Sequence, residues 1–229
     1  MTSDNSSHPL DRPGWNSLNG KHSDIALNGK ISARYPTEYH AIAATPDGSE
    51  EAFHDLATIV KKGEIIGLIA KRPDSGNPDW KILMESLVHQ MVCEKQLPET
   101  DVEYVELSAK DIPEVLELVS ITKPGPFAQR TVELGRYIGI RKDGKLVAMA
   151  GERFKVEGYT EISAVCTLPE YRGKGYATAL SSVLVNTIFE QGDIPFLHVS
   201  VKNTPAIRLY EGLGFTKRRD VPGWALMRV

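Results

Sequence analysis

The sequence has few of the residues that mark extracellular or membrane proteins. Of its 229 residues only two are cysteines, Cys93 and Cys166, which are far apart and lack the spacing of a metal-ligand set. A disulfide framework is therefore not expected, and a reducing compartment fits better. No apolar run approaches the length of a transmembrane helix, and the polar residues 1–8 lack the apolar core of a secretory signal. We expect a cytoplasmic protein.

The sequence also lacks an excess of basic charge. The net charge is −3, so neither a nucleic acid nor an anionic membrane is expected as a partner. The short basic run at residues 217–219 is followed by Asp220 and is typical of a solvated strand end. What is present is ordinary for a soluble globular protein, with 41% hydrophobic residues and enough length for one large or two modest domains.

The hydrophobic pattern divides the chain into three parts. Residues 1–14 are polar, which predicts a disordered segment. Residues 15–100 have a mixed, weakly periodic pattern, which we interpret as an N-terminal lobe. Residues 101–229 indicate the order strand, helix, three strands, helix, strand, helix, strand, with Asp143-Gly144 as a hairpin turn. This order predicts a mixed α/β domain.

A glycine-rich turn, residues 169–177, lies between a strand-like apolar run and an amphipathic helix. Glycines let the backbone approach a ligand closely, and the N–H groups and dipole of a helix start attract an anion. The turn lacks the spacing of a Walker A loop because Lys174 lies between its glycines, and Thr178 stands where a dinucleotide fingerprint needs Gly or Ala. The turn therefore indicates another phosphate-bearing ligand, or a plain turn that uses glycine for its conformation.

A second segment, residues 203–215, gives the turn a context, because the two together resemble the signature of the GNAT superfamily, the acyl-CoA-dependent N-acetyltransferases. The resemblance extends over residues 102–229. It implies an α+β fold with a mixed, mostly antiparallel twisted sheet flanked by helices. Residues 15–100 would add an N-terminal α/β lobe, in one interpretation a degenerate half of the same fold, beside a catalytic domain at residues 101–229. The matching positions are Arg172, Gly175 and Ala177 in the first segment and Asn203, Ala206, Tyr210, Gly214 and Phe215 in the second.

The resemblance also implies acetyl-CoA as cosubstrate, with no metal. Backbone N–H groups of residues 172–177 would hold the pyrophosphate, with Arg172 and Lys174 as rim charges or merely as solvated side chains. The pantetheine arm would bind like an extra strand along β-strand residues 165–167. Asn203 would contact the coenzyme or fix the turn before its helix. The expected coenzyme-binding set is Val165, Cys166, Thr167, Arg172, Gly173, Lys174, Gly175, Tyr176, Ala177, Asn203, Ala206 and Tyr210.

Tyr210 is the general acid that the resemblance implies, since the family places a tyrosine here near the coenzyme sulfur. A phenol holds its proton at neutral pH and can pass it to a departing thiolate. The alternative is a tyrosine that only packs its helix on the sheet. Glu161 is our first choice for the base that deprotonates the amine, ahead of Glu152 and His198. Cys166 lies in an apolar run without an evident base, so we expect a buried thiol and direct transfer.

The acceptor side is predicted less sharply. Residues 122–127 resemble the loop that covers the acceptor in the superfamily, and Phe127 would line an apolar wall or anchor the core. Glu152, with Arg153, and His198 would add polar groups for substrate binding. We predict an N-acetyltransferase for the primary amine of a small molecule. A non-catalytic acyl-CoA sensor or scaffold is the alternative, and a nucleotide-binding module is a weaker third. The identity of the amine and the oligomeric state, a homodimer included, stay open.

Overall fold

The computed structural model describes residues 8–69 and 77–229. Within these ranges no helix combines the length and the apolar character that a membrane span requires. The helices are α1 (Pro13–Leu18), α2 (Glu50–Ile59), α3 (Ile112–Thr122), α4 (Tyr176–Glu190) and α5 (Thr204–Gly212). The strands are β1 (Leu27–Asn28), β2 (Ala33–Arg34), β3 (Ala43–Ala44), β4 (Ile65–Ile69), β5 (Trp80–Val92), β6 (Val105–Glu106), β7 (Tyr137–Lys142), β8 (Lys145–Val156), β9 (Tyr159–Thr167), β10 (Ile194–Ser200) and β11 (Thr216–Arg228).

Eight of these strands form one sheet in the order β4-β11-β5-β10-β9-β8-β7-β6. Neighbouring strands are antiparallel except for β9 and β10, which run parallel. Strands β1, β2 and β3 form a separate antiparallel sheet. The predicted mixed, mostly antiparallel sheet flanked by helices is confirmed.

The parallel pair is short and opens toward its C-terminal end. The ladder between β9 and β10 ends at the pair Glu161–Phe196. Beyond it, β9 stays paired with β8 as far as Thr167, and β10 stays paired with β5 as far as Ser200. The two strands therefore part after Glu161. From that point the edge of β9 that faces β10 has no strand partner in the described chain.

A bulge distorts β9 just beyond this opening. Ala164 has a φ of 54°, and the ladder to β8 shifts register between Met149 and Gly151. Ser163 pairs with Gly151 and Cys166 pairs with Met149. Since Met149 and Gly151 lie two residues apart, the side chains of Ser163 and Cys166 share one face of the sheet. Bulges of this kind re-aim side chains and are frequent beside active sites.

The two faces of the sheet are covered by different parts of the chain. Phe196 on β10 belongs to a core cluster with Tyr35 from the N-terminal segment. The next residue, Leu197, points to the opposite face and belongs to the cluster that contains Leu180 and Leu184 of α4. Leu180 and Leu184 are four residues apart and so lie on one side of α4. The face that carries Phe196 and Glu161 is therefore the face that the N-terminal segment covers.

Residues 15–100, the predicted N-terminal lobe, contribute two strands to the large sheet. β5 lies between β10 and β11, and β4 pairs with β11 at the edge. Residues 8–14 differ from the predicted disordered segment, because they form a 3-10 helix at Pro9–Asp11 and the start of α1. Leu10 is fully buried, and the burial of this apolar side chain stabilises the folded conformation of an otherwise polar segment. Residues 1–7 lie outside the described ranges.

Candidate active site

The glycine-rich loop before α4 leaves its backbone open to a ligand. Gly173 and Gly175 have φ values of 76° and 78°, a left-handed conformation that favours glycine. A Cβ built at either position meets no atom of the described residues within 4 Å, its chain neighbours aside. The N-cap residue of α4 is Gly175, which has no side chain to cap the helix, and the first N–H groups of a helix have no partner within it. The loop therefore fits an anion such as the diphosphate of a coenzyme.

Two basic side chains stand at the rim of this loop. Arg172 is exposed, and its Nε donates a hydrogen bond to the carbonyl of Thr167 at 3.3 Å. Lys174 is also exposed, and its Nζ lies 4.8 Å from the centre of the Tyr171 ring. Tyr176 is the first residue of α4 and is half-buried. Both cations are close enough to the loop to add positive charge without filling it.

The free edge of β9 leads from this loop into the sheet. Val165 and Thr167 are half-buried there, and the Oγ1 atom of Thr167 is buried without a hydrogen-bond partner among the described residues. Cys166 is 8% exposed, and burial raises the pKa of its thiol to about 11. A thiol with such a pKa is protonated at neutral pH and is a poor nucleophile. The unpaired edge itself suits an extended ligand arm that binds through main-chain hydrogen bonds.

Helix α5 places Tyr210 beside the same stretch of β9. The helix begins after Asn203, whose Oδ1 accepts a hydrogen bond from the backbone N–H of Ala206 at 3.3 Å. Tyr210 is 8% exposed and packs edge-on against Phe215, with the ring centres 5.8 Å apart. Burial, with a smaller contribution from Cys166, raises the pKa of Tyr210 to about 12. The phenol therefore keeps its proton at neutral pH.

Glu161, the last residue of β9 that pairs with β10, is the centre of a buried ionic cluster. Its carboxylate oxygens accept hydrogen bonds from Nε and Nη2 of Arg153, both at 2.8 Å, and from Nδ1 of His198 at 2.6 Å. Burial would raise the pKa of Glu161, but Arg153 and then His198 outweigh it and lower the pKa to about 2. A general base works best with a pKa near the working pH. This arrangement argues against Glu161 as the direct base.

A further layer of hydrogen bonds holds His198 in place. Its Nε2 lies 3.2 Å from Nε2 of Gln90, which also donates to the N-terminal segment. Because Nδ1 of His198 donates to Glu161, its Nε2 is the acceptor from Gln90 in the neutral ring. Arg218 in turn donates to Oε1 of Gln90 at 2.8 Å and to Oδ1 of Asp11 at 2.6 Å. Both ring nitrogens of His198 are thus engaged by the protein.

Glu152 does not join this cluster. It pairs with Ile162, the neighbour of Glu161 on β9, so the two carboxylates lie on opposite faces of the sheet. Its Oε2 accepts from Nζ of Lys155 at 3.0 Å and from a backbone N–H. Its Oε1 is buried without a partner in the part of the chain that the structure describes. The structure gives Glu152 a place at the back of the sheet.

Phe127 lies on the face of the sheet that carries Glu161. There it contacts Tyr137, a residue that was not among the predicted site residues. Its ring packs edge-on against Tyr137, with centres 5.7 Å apart. Tyr137 pairs with Gly151, and Gly151 pairs with Ser163, so the three share the face of Glu161. The sequence held a signal for Tyr137, because Tyr137 and Gly151 stand almost symmetrically about the Asp143-Gly144 turn, and an aromatic opposite a glycine is a recurrent pairing.

The sequence-predicted residues thus fall into two adjoining groups with one outlier. Residues 165–177 and α5, which the sequence predicted to bind the coenzyme, form one group. Glu161 and His198, with Phe127 on the same face of the sheet, form the group predicted to meet the acceptor, and Glu152 lies apart. Gln90 and Tyr137 are the members that sequence reasoning missed. Within residues 8–69 and 77–229, no three His, Cys, Asp or Glu side chains are grouped as a metal site would need.

Comparisons with known proteins agree with this architecture. The FR47-like protein family matches residues 137–225. A solved structure of a GNAT-family protein from Novosphingobium aromaticivorans is 36% identical with a TM-score of 0.90, covering 97% of this chain and 100% of that chain. A GCN5-related N-acetyltransferase from Kribbella flavida shares the fold at 16% identity and a TM-score of 0.63, covering 94% of this chain and 93% of that chain. A GNAT acetyltransferase from Colwellia psychrerythraea does so at 14% identity and a TM-score of 0.52, covering 86% and 81%. No curated protein matched the sequence.

Proposed function

Since the chain belongs to the GNAT superfamily of acetyltransferases, we propose that it moves an acetyl group from acetyl-CoA to the primary amine of a small molecule by direct attack. The observation that carries the proposal is the adjacency of two features. The unshielded Gly173–Gly175 loop stands at the end of β9, and the free edge of β9 begins at the point where β10 departs. Together they form a path for a phosphate-bearing ligand with a long arm.

The residues present fit acetyl-CoA, which when bound supplies an acyl carbon activated as a thioester. The N–H groups of the Gly173–Gly175 loop and of the first turn of α4 hold phosphate oxygens, with Arg172 and Lys174 adding charge at the rim. The main chain of Val165 and Thr167 binds the arm. Residues 165–167 place the reacting end beside the acceptor-side cluster.

Tyr210 supplies the proton for the leaving group. Its raised pKa of about 12 keeps the phenol protonated at pH 7 until a stronger base forms beside it. Cys166 is also protonated, with a pKa of about 11, so a covalent acyl-enzyme at this thiol is disfavoured and the amine attacks directly. Glu161, with both oxygens bound and a pKa of about 2, positions Arg153 and His198, and the proton of the amine leaves through water.

A small acceptor is supported by the cover over the acceptor side. The loop after Phe127 is bound to the N-terminal segment by the N–H of Arg130, which donates to the carbonyl of Glu38 at 2.7 Å. The hydroxyl of Thr131 donates to the carbonyl of Tyr39 at 2.5 Å. The guanidinium of Arg130 also lies 4.1 Å from the centre of the Tyr39 ring. A loop held in place by these contacts leaves less room for a polypeptide chain than for a compact amine.

The first test of the function uses the full chain, acetyl-CoA and a panel of amines. Calorimetry measures acetyl-CoA binding, and a thiol reagent measures free CoA released with amino acids, polyamines, arylalkylamines and short peptides. We expect binding, and turnover with at least one small amine that exceeds turnover with every peptide. Absence of heat with acetyl-CoA contradicts the donor assignment, and faster turnover with peptides contradicts the acceptor class.

The second test addresses Tyr210. Tyr210→Phe should lower kcat by about 100-fold or more, as expected for loss of a general acid, while the Kd for acetyl-CoA changes little. Tyr104→Phe is the matched control, since Tyr104 is 39% exposed and borders a different groove. Wild-type kcat in Tyr210→Phe with the best amine of the panel contradicts the acid role.

One observation favours a second candidate function, a non-catalytic acyl-CoA sensor. The protein engages both oxygens of Glu161 and both ring nitrogens of His198, so neither side chain is a free base. A sensor binds acetyl-CoA with measurable heat but releases no CoA with any amine. The same panel therefore separates the two functions.

A further inference from the structure

Tyr137 lies across the sheet in a way that only a glycine partner allows. Tyr137 on β7 pairs with Gly151 on β8, which pairs with Ser163 on β9. A Cβ built on Gly151 would stand 2.2 Å from Cδ1 of Tyr137, so the ring lies directly over the backbone of β8. Neighbouring strands are about 4.8 Å apart, and a tyrosine side chain is longer than this. The ring therefore reaches across β8 toward Ser163 on β9, in the stretch where β9 has parted from β10.

The hydroxyl at the end of this ring lacks a partner. Tyr137 is 1% exposed, and its oxygen makes no hydrogen bond within residues 8–69 and 77–229. Tyr35, fully buried nearby, shows the usual arrangement, since its hydroxyl contacts Oγ of Ser17 at 3.1 Å and Nδ1 of His22 at 2.8 Å. Buried polar groups in folded proteins are nearly always paired, and an unpaired one calls for an explanation. A ligand that enters the site would supply the missing partner.

The residues around Tyr137 indicate which ligand its hydroxyl would contact. Phe127 contacts the ring from the predicted acceptor loop. The charges of Arg153 and Glu161 act on the phenol, and burial is the main cause of its raised pKa, so the group stays a neutral hydroxyl. Ser163 and Glu161 precede the bulge at Ala164, whereas the loop that suits the coenzyme follows the bulge. The hydroxyl is thus on the acceptor side of the bulge.

We infer that the Tyr137 hydroxyl is a substrate contact that accepts a hydrogen bond from the acceptor amine at the open part of β9. The inference rests on the proposed acetyl transfer. It adds a residue from outside the two motifs to the group that touches the substrate. An amine whose N–H is held by this oxygen has its lone pair directed away from Tyr137, and the residues that follow the bulge are those that suit the acyl donor.

The experiment compares Tyr137→Phe with the wild type, using the best amine of the panel at saturating acetyl-CoA. Removal of an unpaired hydroxyl should leave the melting temperature equal or higher. The Kd for acetyl-CoA should stay within twofold. The KM for the amine should rise, and kcat/KM should fall by about 10- to 100-fold, the range for loss of one hydrogen bond in a desolvated site. Tyr35→Phe is the matched control. It removes a paired hydroxyl, and it should lower the melting temperature but leave kcat/KM within twofold.

Each departure from this pattern has a defined meaning. If the wild type turns over the amine and Tyr137→Phe has unchanged KM and kcat, the inference is overturned while the proposed function stands. A lower melting temperature in Tyr137→Phe with unchanged kinetics assigns the hydroxyl to the fold and also overturns the inference. A wild type that binds acetyl-CoA but acetylates no amine overturns the proposed function and the inference together.

Discussion

Removing the guanidinium of Arg153 should destabilise the protein strongly. Glu161 is fully buried, and two of its three side-chain hydrogen bonds come from Arg153. In Arg153→Met the carboxylate keeps only His198 as a partner. A methionine fills a similar volume without charge, so the change isolates the electrostatic part of the interaction.

Breaking a buried ion pair by removal of one partner typically costs about 3–5 kcal/mol. On folding, burial would raise the pKa of Glu161, but Arg153 and then His198 lower it from 4.5 to about 2, so the net effect of the cluster on the carboxylate is a stabilisation. Because the folded pKa is the lower one, this stabilisation is present above pH 4.5 and is lost as the pH falls toward 2. The difference between the wild type and Arg153→Met should therefore be largest near pH 7 and should shrink below pH 4.5.

Urea unfolding of four proteins tests this reasoning: the wild type, Arg153→Met, Glu161→Gln and the double variant. The double variant should be more stable than Arg153→Met, because it leaves no buried charge. Arg141→Met is the matched control, since Arg141 also binds two carboxylates, Asp111 at 2.9 Å and Glu114 at 2.7 Å. The Arg141 side chain is 26% exposed, so its loss should cost at most about 1 kcal/mol. Equal losses in the two arginine variants would refute the argument.

Two further predictions concern the coenzyme loop and acid stability. Gly173→Ala should raise the Kd for acetyl-CoA, measured by calorimetry, about tenfold, because Ala is strained at a φ of 76°. Gly158→Ala is the control. Gly158 has a φ of 72° in the β8–β9 turn, so this variant carries the same strain and should leave the Kd unchanged. Burial lowers the pKa of His22 to about 4 and that of His40 to about 3, whereas both histidines have a pKa of 6.5 in the unfolded chain. The unfolded chain therefore takes up protons first as the pH falls. The free energy of unfolding should decrease from pH 6.5 downward, by about 2 kcal/mol for each histidine at pH 5. Unfolding curves that do not change between pH 7.5 and 5 would contradict this, and His22→Gln should reduce the slope.

The sequence predicted those elements whose signals are contiguous. The loop at residues 169–177 and the segment at residues 203–215 each lie within one strand-turn-helix or helix unit, so local conformation alone placed them. β5 was not predicted from the sequence, because apolar side chains in the first part of this strand are exposed rather than packed against another element. Leu83, Met84 and Leu87 are exposed at 44%, 58% and 42%, so its apolar residues do not alternate as in a half-buried strand.

The last strand, β11, is continuous through Pro222-Gly223, a dipeptide that is typical of a turn. Pro222 pairs with Leu87 of β5, and its neighbours pair in register as Val221–Val88 and Gly223–Ser86. The continuity of β11 depends on its pairing with β5, a tertiary contact that the sequence pattern does not show.

The residues predicted for the coenzyme lie in two short segments of the sequence, whereas those predicted for the acceptor are scattered along the chain. The FR47-like match covers residues 137–225, which include the loop and strand that suit the coenzyme. The acceptor side depends on residues before that range. Asp11 binds Arg218, Arg218 binds Gln90, and Gln90 binds His198, which binds Glu161. This chain of contacts joins the N-terminal segment to Glu161, the last residue of β9 that pairs with β10. Substitutions in residues 8–45 should therefore change which amine is accepted more than they change the donor.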